Sequence, residues 1–274
     1  MIERAIEQLV ISVGSGPVLV HSDPFRAARL VKPVRDRNAY LDSHIDMICH
    51  AGCERALWVP TFNYDFPKTR VFDVHASESQ LGPIPERFRT TAATWRTPIP
   101  IFSVAGLGYD PQPRWGPGTD PFGQDSVFHE LVTQDGVVLY YGDTFQYNTL
   151  VHYSERDAGG PLYRYDKLFS GKVIMADGST IEGSLDYHVR PMNMGLDYDW
   201  TRLKDEAANA GVLRHLDGYP EILAASARGL NDLWTSNLAD DPFSLLDASS
   251  RSWAEPKVNE LGRRFVLSDF EEAA

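Results

Sequence analysis

The residues with the clearest potential for chemistry lie in the segment 148–155, which follows a short apolar run at 137–141. On a helix, Thr149 and His152 would share one face, and Glu155 would follow one turn later. A histidine beside a hydroxyl and a carboxyl group at the C-terminal end of a strand is a suitable general base. The segment therefore favours proton-transfer chemistry. A histidine that merely caps a helix is the structural alternative.

A second candidate is Asp186-Tyr187-His188, which ends a predicted strand, although an ordinary strand end would look the same. Together with His21 and Asp23, these residues could form a metal hydrolase site, and metal analysis of the pure protein would test that alternative. The sequence holds no Gly-x-Ser-x-Gly elbow, no P-loop, no His-Glu-x-x-His and no Cys-x-x-Cys. We expect no metal.

The two cysteines, Cys49 and Cys53, are four residues apart in a segment predicted to be helical. That spacing suits a disulfide poorly, since the two side chains would lie on one face about 6 Å apart. A metal site with His50 would need further ligands nearby, and the sequence offers none. We therefore interpret both cysteines as free, buried thiols.

Composition narrows the class of protein. The chain has 274 residues with 43% hydrophobic and 23% charged residues, which excludes wholesale disorder. Its 26 basic and 38 acidic residues give a net charge of −12, which disfavours general nucleic-acid binding. The N-terminus lacks the pattern of a signal peptide, and no apolar run approaches the ~18 residues of a membrane span. We expect a soluble, cytoplasmic protein with no membrane partner.

The elements that must position these residues alternate between apolar runs and helical patterns. Strands are predicted at 18–20, 56–61, 101–105 and 137–141, and a hairpin at 172–186 is marked by an Asp-Gly turn. Helices are predicted at 2–12, 39–54, 200–212 and 219–238, and after a cap at Asp125 or Ser126. The last twenty residues are charged and are expected to be loosely held. The pattern predicts an α/β fold: a central mixed sheet covered by helices on both faces, with an added hairpin and helical subdomain.

Read in order, several segments resemble the aminoglycoside 3-N-acetyltransferase family. The matching pieces are His21-Ser22 after a strand, Val59-Pro60-Thr61-Phe62, the segments 81–89 and 96–108, and Asn148-Thr149-x-x-His152-x-x-Glu155. The match covers roughly residues 15–190, and the last motif is its most specific part. The resemblance implies the antibiotic acetyltransferase fold, distinct from the GNAT fold, in a single domain over 1–274. Residues 1–160 would form the core sheet with the coenzyme A site, and 161–250 would complete the acceptor site.

The resemblance also implies an activity, namely acetyl transfer from acetyl-CoA to a primary amine of an amino sugar. The family's catalytic histidine falls on His152 and its threonine on Thr149, and Asp186 is the natural match for the carboxylate that orients the histidine. Glu155 and Glu182 are the alternative acids. The expected mechanism is direct attack of the amine on the thioester, with Thr149 or the backbone at 148–149 stabilising the oxyanion.

Other residues receive binding roles from the same resemblance. Coenzyme A contacts are expected from Ser22, Thr97, Thr149 and Arg26, with Arg29 and Lys32 as further partners for its phosphates. Acceptor contacts are expected from Thr61, Asn63, Glu155 and Tyr165. The sequence leaves open the acceptor, the acyl-chain length and whether the protein forms a homo-oligomer.

Departures from the family pattern bear on the acceptor. Antibiotic-modifying members usually carry His-Pro where this chain has Ile99-Pro100, and the segments 23–32 and 163–169 are unusual. Similar sequences occur among enzymes that acylate nucleotide-linked amino sugars, so we expect such an acceptor, with an aminoglycoside as the alternative. Tyr163, Arg164, Tyr165, Lys167 and Arg190 could stack on a base or bind a diphosphate. An inactive binding protein of the same fold is a further alternative, which release of free thiol from acetyl-CoA would exclude.

Overall fold

A computed structural model describes residues 2–52, 55–192 and 194–271, which form an α/β structure with two sheets. The pair Cys49–Cys53 is partly outside these ranges, because Cys53 is not among the described residues. The helices are α1 (Ile2–Ile11), α2 (Arg37–Ala51), α3 (Phe66–Thr69), α4 (Pro83–Thr91), α5 (Val127–Thr133), α6 (Leu150–Asp157), α7 (Trp200–Asn209), α8 (Ala227–Asp240) and α9 (Ala248–Leu261). The strands are β1 (Val18–Ser22), β2 (Leu57–Pro60), β3 (Val71–Asp73), β4 (Trp95–Arg96), β5 (Val104–Leu107), β6 (Val137–Tyr141), β7 (Tyr165–Ile174), β8 (Thr180–Val189), β9 (Leu213–Leu216) and β10 (Tyr219–Ser226).

The larger sheet is mixed and has the strand order β4-β5-β2-β1-β6-β10-β9. Its centre is parallel, since β1 pairs in parallel with both β2 and β6, whereas the outer neighbours pair antiparallel. The central strands are continuous apolar runs because both of their faces are covered. The parallel centre brings the C-terminal ends of β1, β2 and β6 to one edge, where ligands bind in sheets of this kind.

Side chains along β1 show how both faces are filled. Leu19 belongs to one apolar cluster, whereas its neighbours Val18 and Val20 belong to a second cluster on the opposite face. Helices α1, α2 and α4 contribute to the second cluster, and α5, α6 and α8 contribute to the first. The predicted α/β fold with a mixed sheet covered on both faces is confirmed.

Five of the helices begin at a residue whose side chain accepts a hydrogen bond from the backbone N–H three residues later. These N-caps are Asp36, Ser126, Asp199, Ser226 and Asp247. Such a cap satisfies one of the free donors of the first turn and typically contributes about 1 kcal/mol. The predicted cap of α5 is therefore Ser126.

The second sheet holds three strands in the order β3-β7-β8. Strands β7 and β8 form a hairpin of ten paired positions, from Tyr165↔Val189 to Ile174↔Thr180. Gly178 has φ +82 in the connecting turn, which explains the Asp-Gly signal in the sequence. The predicted hairpin is present, and it extends at both strands beyond the predicted bounds of 172–186.

Three sequence predictions are wrong. The segment 219–238 begins as strand β10 and becomes helical only at α8, because its apolar run Ile222–Ala225 is a buried sheet strand without alternation. The strand predicted at 101–105 begins at Val104, since Ile101 has φ 66 and leaves the extended region. The last twenty residues are not loose through Glu271, because α9 continues to Leu261 and Phe265 is buried.

None of the helices within the described ranges is both long and apolar enough to cross a membrane.

Candidate active site

A cleft of about 1090 Å³ opens where β1 and β2 end. Its walls also include the first turn of α6 and residues of the β7–β8 hairpin. Thr149 and His152 face it from α6, and Ser22 faces it from the end of β1. The cleft therefore joins the sheet edge to the motif that the sequence singled out.

The chain around the start of α6 is held firmly in place. Asn148 is buried, and its side chain donates to the Tyr140 hydroxyl of β6 and accepts from the backbone N–H of Leu150. These bonds tie the first turn of the helix to the sheet. His152, one turn further on, is then fixed at the cleft wall with 17% of its side chain exposed.

Glu155 is the centre of a buried hydrogen-bond cluster, and we call this the Glu155 cluster. Its side chain is fully buried and accepts from five side chains on four different segments of the chain. The donors and their distances to a carboxylate oxygen are His152 Nδ1 (3.1 Å), His188 Nε2 (3.2 Å), Tyr163 hydroxyl (2.8 Å), Tyr198 hydroxyl (2.7 Å) and Arg164 Nε (3.3 Å). A buried carboxylate needs such partners to remain ionised.

The cluster sets the charge states of its members. Burial alone would raise the pKa of Glu155, but the Arg164 charge and the hydrogen bonds from both histidines outweigh it and hold the pKa well below its usual value. Burial lowers the pKa of His152, although its bond to Glu155 opposes the shift. Burial also lowers the pKa of His188 to about 4. Near neutral pH, both histidines are neutral and Glu155 is ionised.

These charge states determine the tautomer of His152. An ionised Glu155 can only accept hydrogen bonds, so the proton of the neutral imidazole resides on Nδ1. The remaining nitrogen, Nε2, carries the lone pair and has no hydrogen-bond partner among the residues that the structure describes. Because His152 lines the cleft, that lone pair is available to a bound molecule.

The end of β1 offers unsatisfied polar atoms to the same cleft. His21 is 6% exposed, and its Nε2 is buried without a hydrogen-bond partner in the described part of the chain; the same is true of Ser22 Oγ. Both residues line the cleft. Unpaired buried polar groups are costly, which makes these two atoms at the end of β1 unusual features of the cleft wall.

The acid beside His152 is Glu155 and not Asp186, which corrects the sequence-based assignment. Asp186 lies on β8 with its backbone N–H bonded to the carbonyl of Thr119, and it does not line the cleft. Burial and the nearby charge of Asp166 raise the pKa of Asp186. Two residues later on the same strand, His188 reaches Glu155 instead.

Several predicted binding residues have structural roles instead and do not line the cleft. Thr61 and Thr97 are buried between strands, where Thr61 bonds to Ser103 and Thr97 accepts from the backbone of Val104. Asn63 donates to the carbonyl of Glu78 in a loop.

Tyr165, Glu155 and Arg26 also differ from their predicted roles. Tyr165 donates to Glu271, and Glu155 is enclosed in its cluster, so neither faces the cleft. Arg26 lies in a separate shallow pocket beside Arg29, where it bonds to the carbonyl of Asp143. Of the predicted coenzyme contacts, Ser22 and Thr149 do line the main cleft.

The metal hydrolase alternative is not supported by the placement of its residues. Among the described residues, the three side chains close enough to share a metal ion are His152, Glu155 and His188. His21 and Asp186 do not belong to that group. Glu155 is moreover already engaged by Arg164, which competes with a cation for the carboxylate.

Sequence reasoning missed one member of the cluster completely. Tyr198 donates to Glu155 and lies 3.1 Å from His152 Nδ1 through its hydroxyl. It is 46 residues from His152 in the chain, and no local motif marks it. The sequence predicts His188 only as a candidate metal ligand, and Tyr163 and Arg164 only as acceptor contacts.

Known proteins resemble this chain both in sequence pattern and in fold. A family model described as aminoglycoside 3-N-acetyltransferase matches residues 50–235. Among solved structures, aminoglycoside acetyltransferase AAC(3)-IVa is 18% identical with a TM-score of 0.65 over 94% of this chain and 96% of that chain. AAC-IIIb, solved with CoASH, is 20% identical with a TM-score of 0.65, covering 87% and 96%. YokD from Bacillus subtilis is 14% identical with a TM-score of 0.64, covering 87% and 93%. These similarities show a shared fold; no curated protein sequence matches significantly.

Proposed function

Because this chain belongs to the aminoglycoside 3-N-acetyltransferase family, we propose that it transfers an acetyl group from acetyl-CoA to a primary amine of an amino sugar. The observation that carries the proposal is the bond between His152 Nδ1 and Glu155, which leaves Nε2 of a neutral imidazole at the cleft. An enzyme of this class needs a base at that position, since a protonated amine has no lone pair with which to attack.

In the proposed mechanism, His152 Nε2 takes a proton from the amine as the amine attacks the thioester carbonyl. The C–S bond then breaks, and the imidazolium gives the proton to the departing thiolate, so that coenzyme A leaves as a free thiol. The positive charge that develops on the imidazole is stabilised by ionised Glu155 through Nδ1. Tyr198 and His188 hold Glu155 in place, so the base keeps its orientation. No acyl-enzyme is required, and positioning of the two substrates supplies much of the rate.

The cleft also suits the acetyl donor. Coenzyme A carries amide and phosphate groups, and the polar residues His21 and Ser22 line the wall of the cleft at the end of β1. We propose that Ser22 and Thr149 contact the donor, with Thr149 at the start of α6 stabilising the oxyanion. That AAC-IIIb was solved with CoASH supports this choice of donor.

Two acceptors fit the proposal. An aminoglycoside is supported by the family and by structures of AAC(3)-IVa in complex with a gentamicin and with apramycin. A nucleotide-linked amino sugar is supported by aromatic and basic side chains of the cleft, among them Tyr147, Tyr187, Trp200 and Lys167.

The test is release of free thiol from acetyl-CoA in the presence of a panel of amines, with mass spectrometry of the products. We expect amine-dependent thiol release and a product heavier by one acetyl group. An absence of transfer to every aminoglycoside, amino sugar and nucleotide-linked amino sugar would contradict the proposed function.

A further inference from the structure

The carboxylates of the cleft accept hydrogen bonds from the chain itself, and Glu271 is also paired with a cation. Those that line it are Asp23, Asp197 and Glu271. Asp23 accepts from two backbone N–H groups, Asp197 from a backbone N–H and the Trp200 indole, and Glu271 from a tyrosine hydroxyl and Lys167. Glu271 is therefore neutralised by Lys167. The hydrogen bonds to Asp23 and Asp197, in contrast, reach only Oδ1, so the carboxylates by themselves do not define the charge of the acceptor.

The cations of the cleft differ from one another in their partners. Arg164 is buried against Glu155, and Lys167 pairs with Glu271. Arg190 is exposed; its side chain donates to the backbone carbonyl of Leu196 and has no carboxylate partner among the described residues. Arg190 therefore brings an uncompensated positive charge to the cleft.

Arg190 is also placed close to the base. It directly follows β8 and stands two positions after His188, which touches Glu155. The side chains of Arg190 and His152 line the same cleft. The charge of Arg190 contributes to lowering the pKa of His152 and also acts on Tyr187, so its field reaches the reaction site.

We infer that Arg190 binds an anionic group of the acceptor, so that the enzyme selects amino sugars that carry a phosphate or a carboxylate. The inference rests on the proposed function and names its acceptor class. A guanidinium binds either oxyanion through two parallel hydrogen bonds, and thereby positions as well as attracts it. A polycationic acceptor would place further positive charge beside Arg190 and Arg164.

Because the net charge of the protein is −12, the proposed preference for anionic acceptors must arise locally, within the cleft. The field of the whole protein attracts cations, so a preference for anions must come from the groups inside the cleft.

The experiment measures acceptor binding by calorimetry and acetylation by thiol release. The first comparison is between glucosamine and glucosamine 6-phosphate, which adds a phosphate to the same amino sugar. The uronic acid of glucosamine supplies the carboxylate, UDP-linked glucosamine supplies a diphosphate, and kanamycin supplies a polycation. We expect the wild-type protein to bind at least one anionic amine at least about fivefold more tightly than glucosamine. The phosphate, diphosphate and carboxylate arms identify which anion is preferred.

The variant Arg190→Gln should bring that ratio close to one and improve the relative binding of kanamycin, whereas Arg190→Lys should keep part of it. Arg214→Gln removes an exposed arginine on β9, outside the cleft, and is the matched control expected to leave the ratio unchanged. A wild-type ratio near one, no binding of any anionic amine, or a ratio unaffected by Arg190→Gln would overturn the inference.

The two levels of failure are distinguishable. Acetylation of glucosamine or kanamycin without any anion preference would overturn the role of Arg190 and leave the acetyl-transfer proposal standing. A complete lack of acetyl transfer to every arm would contradict the proposed function itself.

Discussion

Two charged clusters lie next to each other at helix α6, and they differ in how far their side chains are exposed to solvent. The Glu155 cluster is largely buried: Glu155 and His188 are fully buried, Arg164 is only 4% exposed, and His152 is 17% exposed at the cleft wall. The neighbouring residue, Arg156, enters a second cluster that we call the surface ion network: Asp120, Arg156, Asp166 and Arg264. There the side chains are 20% to 41% exposed.

The difference shows how position on a helix decides the function of a charge. Glu155 and Arg156 are adjacent in sequence, but one points into the protein and the other points towards solvent. A buried ionised carboxylate polarises its partners strongly, because the surroundings screen little. In the surface network the solvent screens each pair, so that single pairs contribute little to stability. Asp186 lies near the second cluster, and its chemistry follows from that neighbourhood.

The largest effect is expected for His152→Ala. Loss of the base should lower kcat by ~10²-fold or more, since that is the usual scale for general-base catalysis. Acetyl-CoA binding should stay near that of the wild type, because the side chain removed takes the amine proton and does not hold the donor. Steady-state kinetics and calorimetry check both parts, and turnover near the wild-type rate would contradict the assignment.

Glu155→Gln should have the next largest effect. The amide keeps the shape but loses the charge, so the orientation of His152 and the stabilisation of its charged form weaken, and kcat should fall at least about tenfold. The change also leaves Arg164 buried without a counterion, at a cost of about 3–5 kcal/mol in unfolding free energy. Thermal unfolding therefore accompanies the kinetic assay, so that a folded, slow enzyme is distinguished from an unfolded one.

The pH profile gives a smaller but specific signature. Burial lowers the pKa of His152 below its ordinary 6.5, so the base stays neutral at pH 7. The activity of the enzyme should therefore fall only when the pH is lowered below 6.5. Glu155 raises the pKa of His152, so its removal in Glu155→Gln should move the acid limb to still lower pH. A limb that shifts upward in this variant would contradict the account.

The smallest effects are expected outside the Glu155 cluster. Asp186→Asn makes the same chemical change as Glu155→Gln, yet kcat should stay within about twofold, as Asp186 does not touch His152. Asp166→Asn, in the surface ion network, should cost less than about 1 kcal/mol of stability. Kinetics for the first and denaturant unfolding for the second provide the measurements. A tenfold loss of activity in Asp186→Asn would restore that residue as the orienting acid.

The same contrast explains which parts of the molecule the sequence predicted. The strands β1, β2 and β6 were predicted because a short, uninterrupted apolar run between turn signals is typical of a buried strand. The run at Ile222–Ala225 has the same character, but no turn signal separates it from α8. The sequence pattern therefore predicts a single helix over 219–238. Local pattern cannot separate two elements that meet without a loop.

The site was predicted only as far as local spacing reaches. His152 and Glu155 lie three residues apart, so their contact follows from helix geometry. The choice between Glu155 and Asp186 depends on how the β7–β8 hairpin packs against α6, and no local feature of the sequence determines that packing. Tyr198 also reaches the cluster through tertiary packing, and no local pattern in the sequence predicts its contact with Glu155.

The central claim is that Glu155 holds His152 with its proton on Nδ1 and its lone pair on Nε2. The most direct test is the ¹⁵N NMR spectrum of histidine-labelled protein at pH 7, with His152 assigned by comparison with His152→Ala. The account predicts a neutral ring protonated at Nδ1, unchanged in Asp186→Asn and altered in Glu155→Gln. A ring protonated at Nε2, or one altered by Asp186→Asn and not by Glu155→Gln, would contradict it.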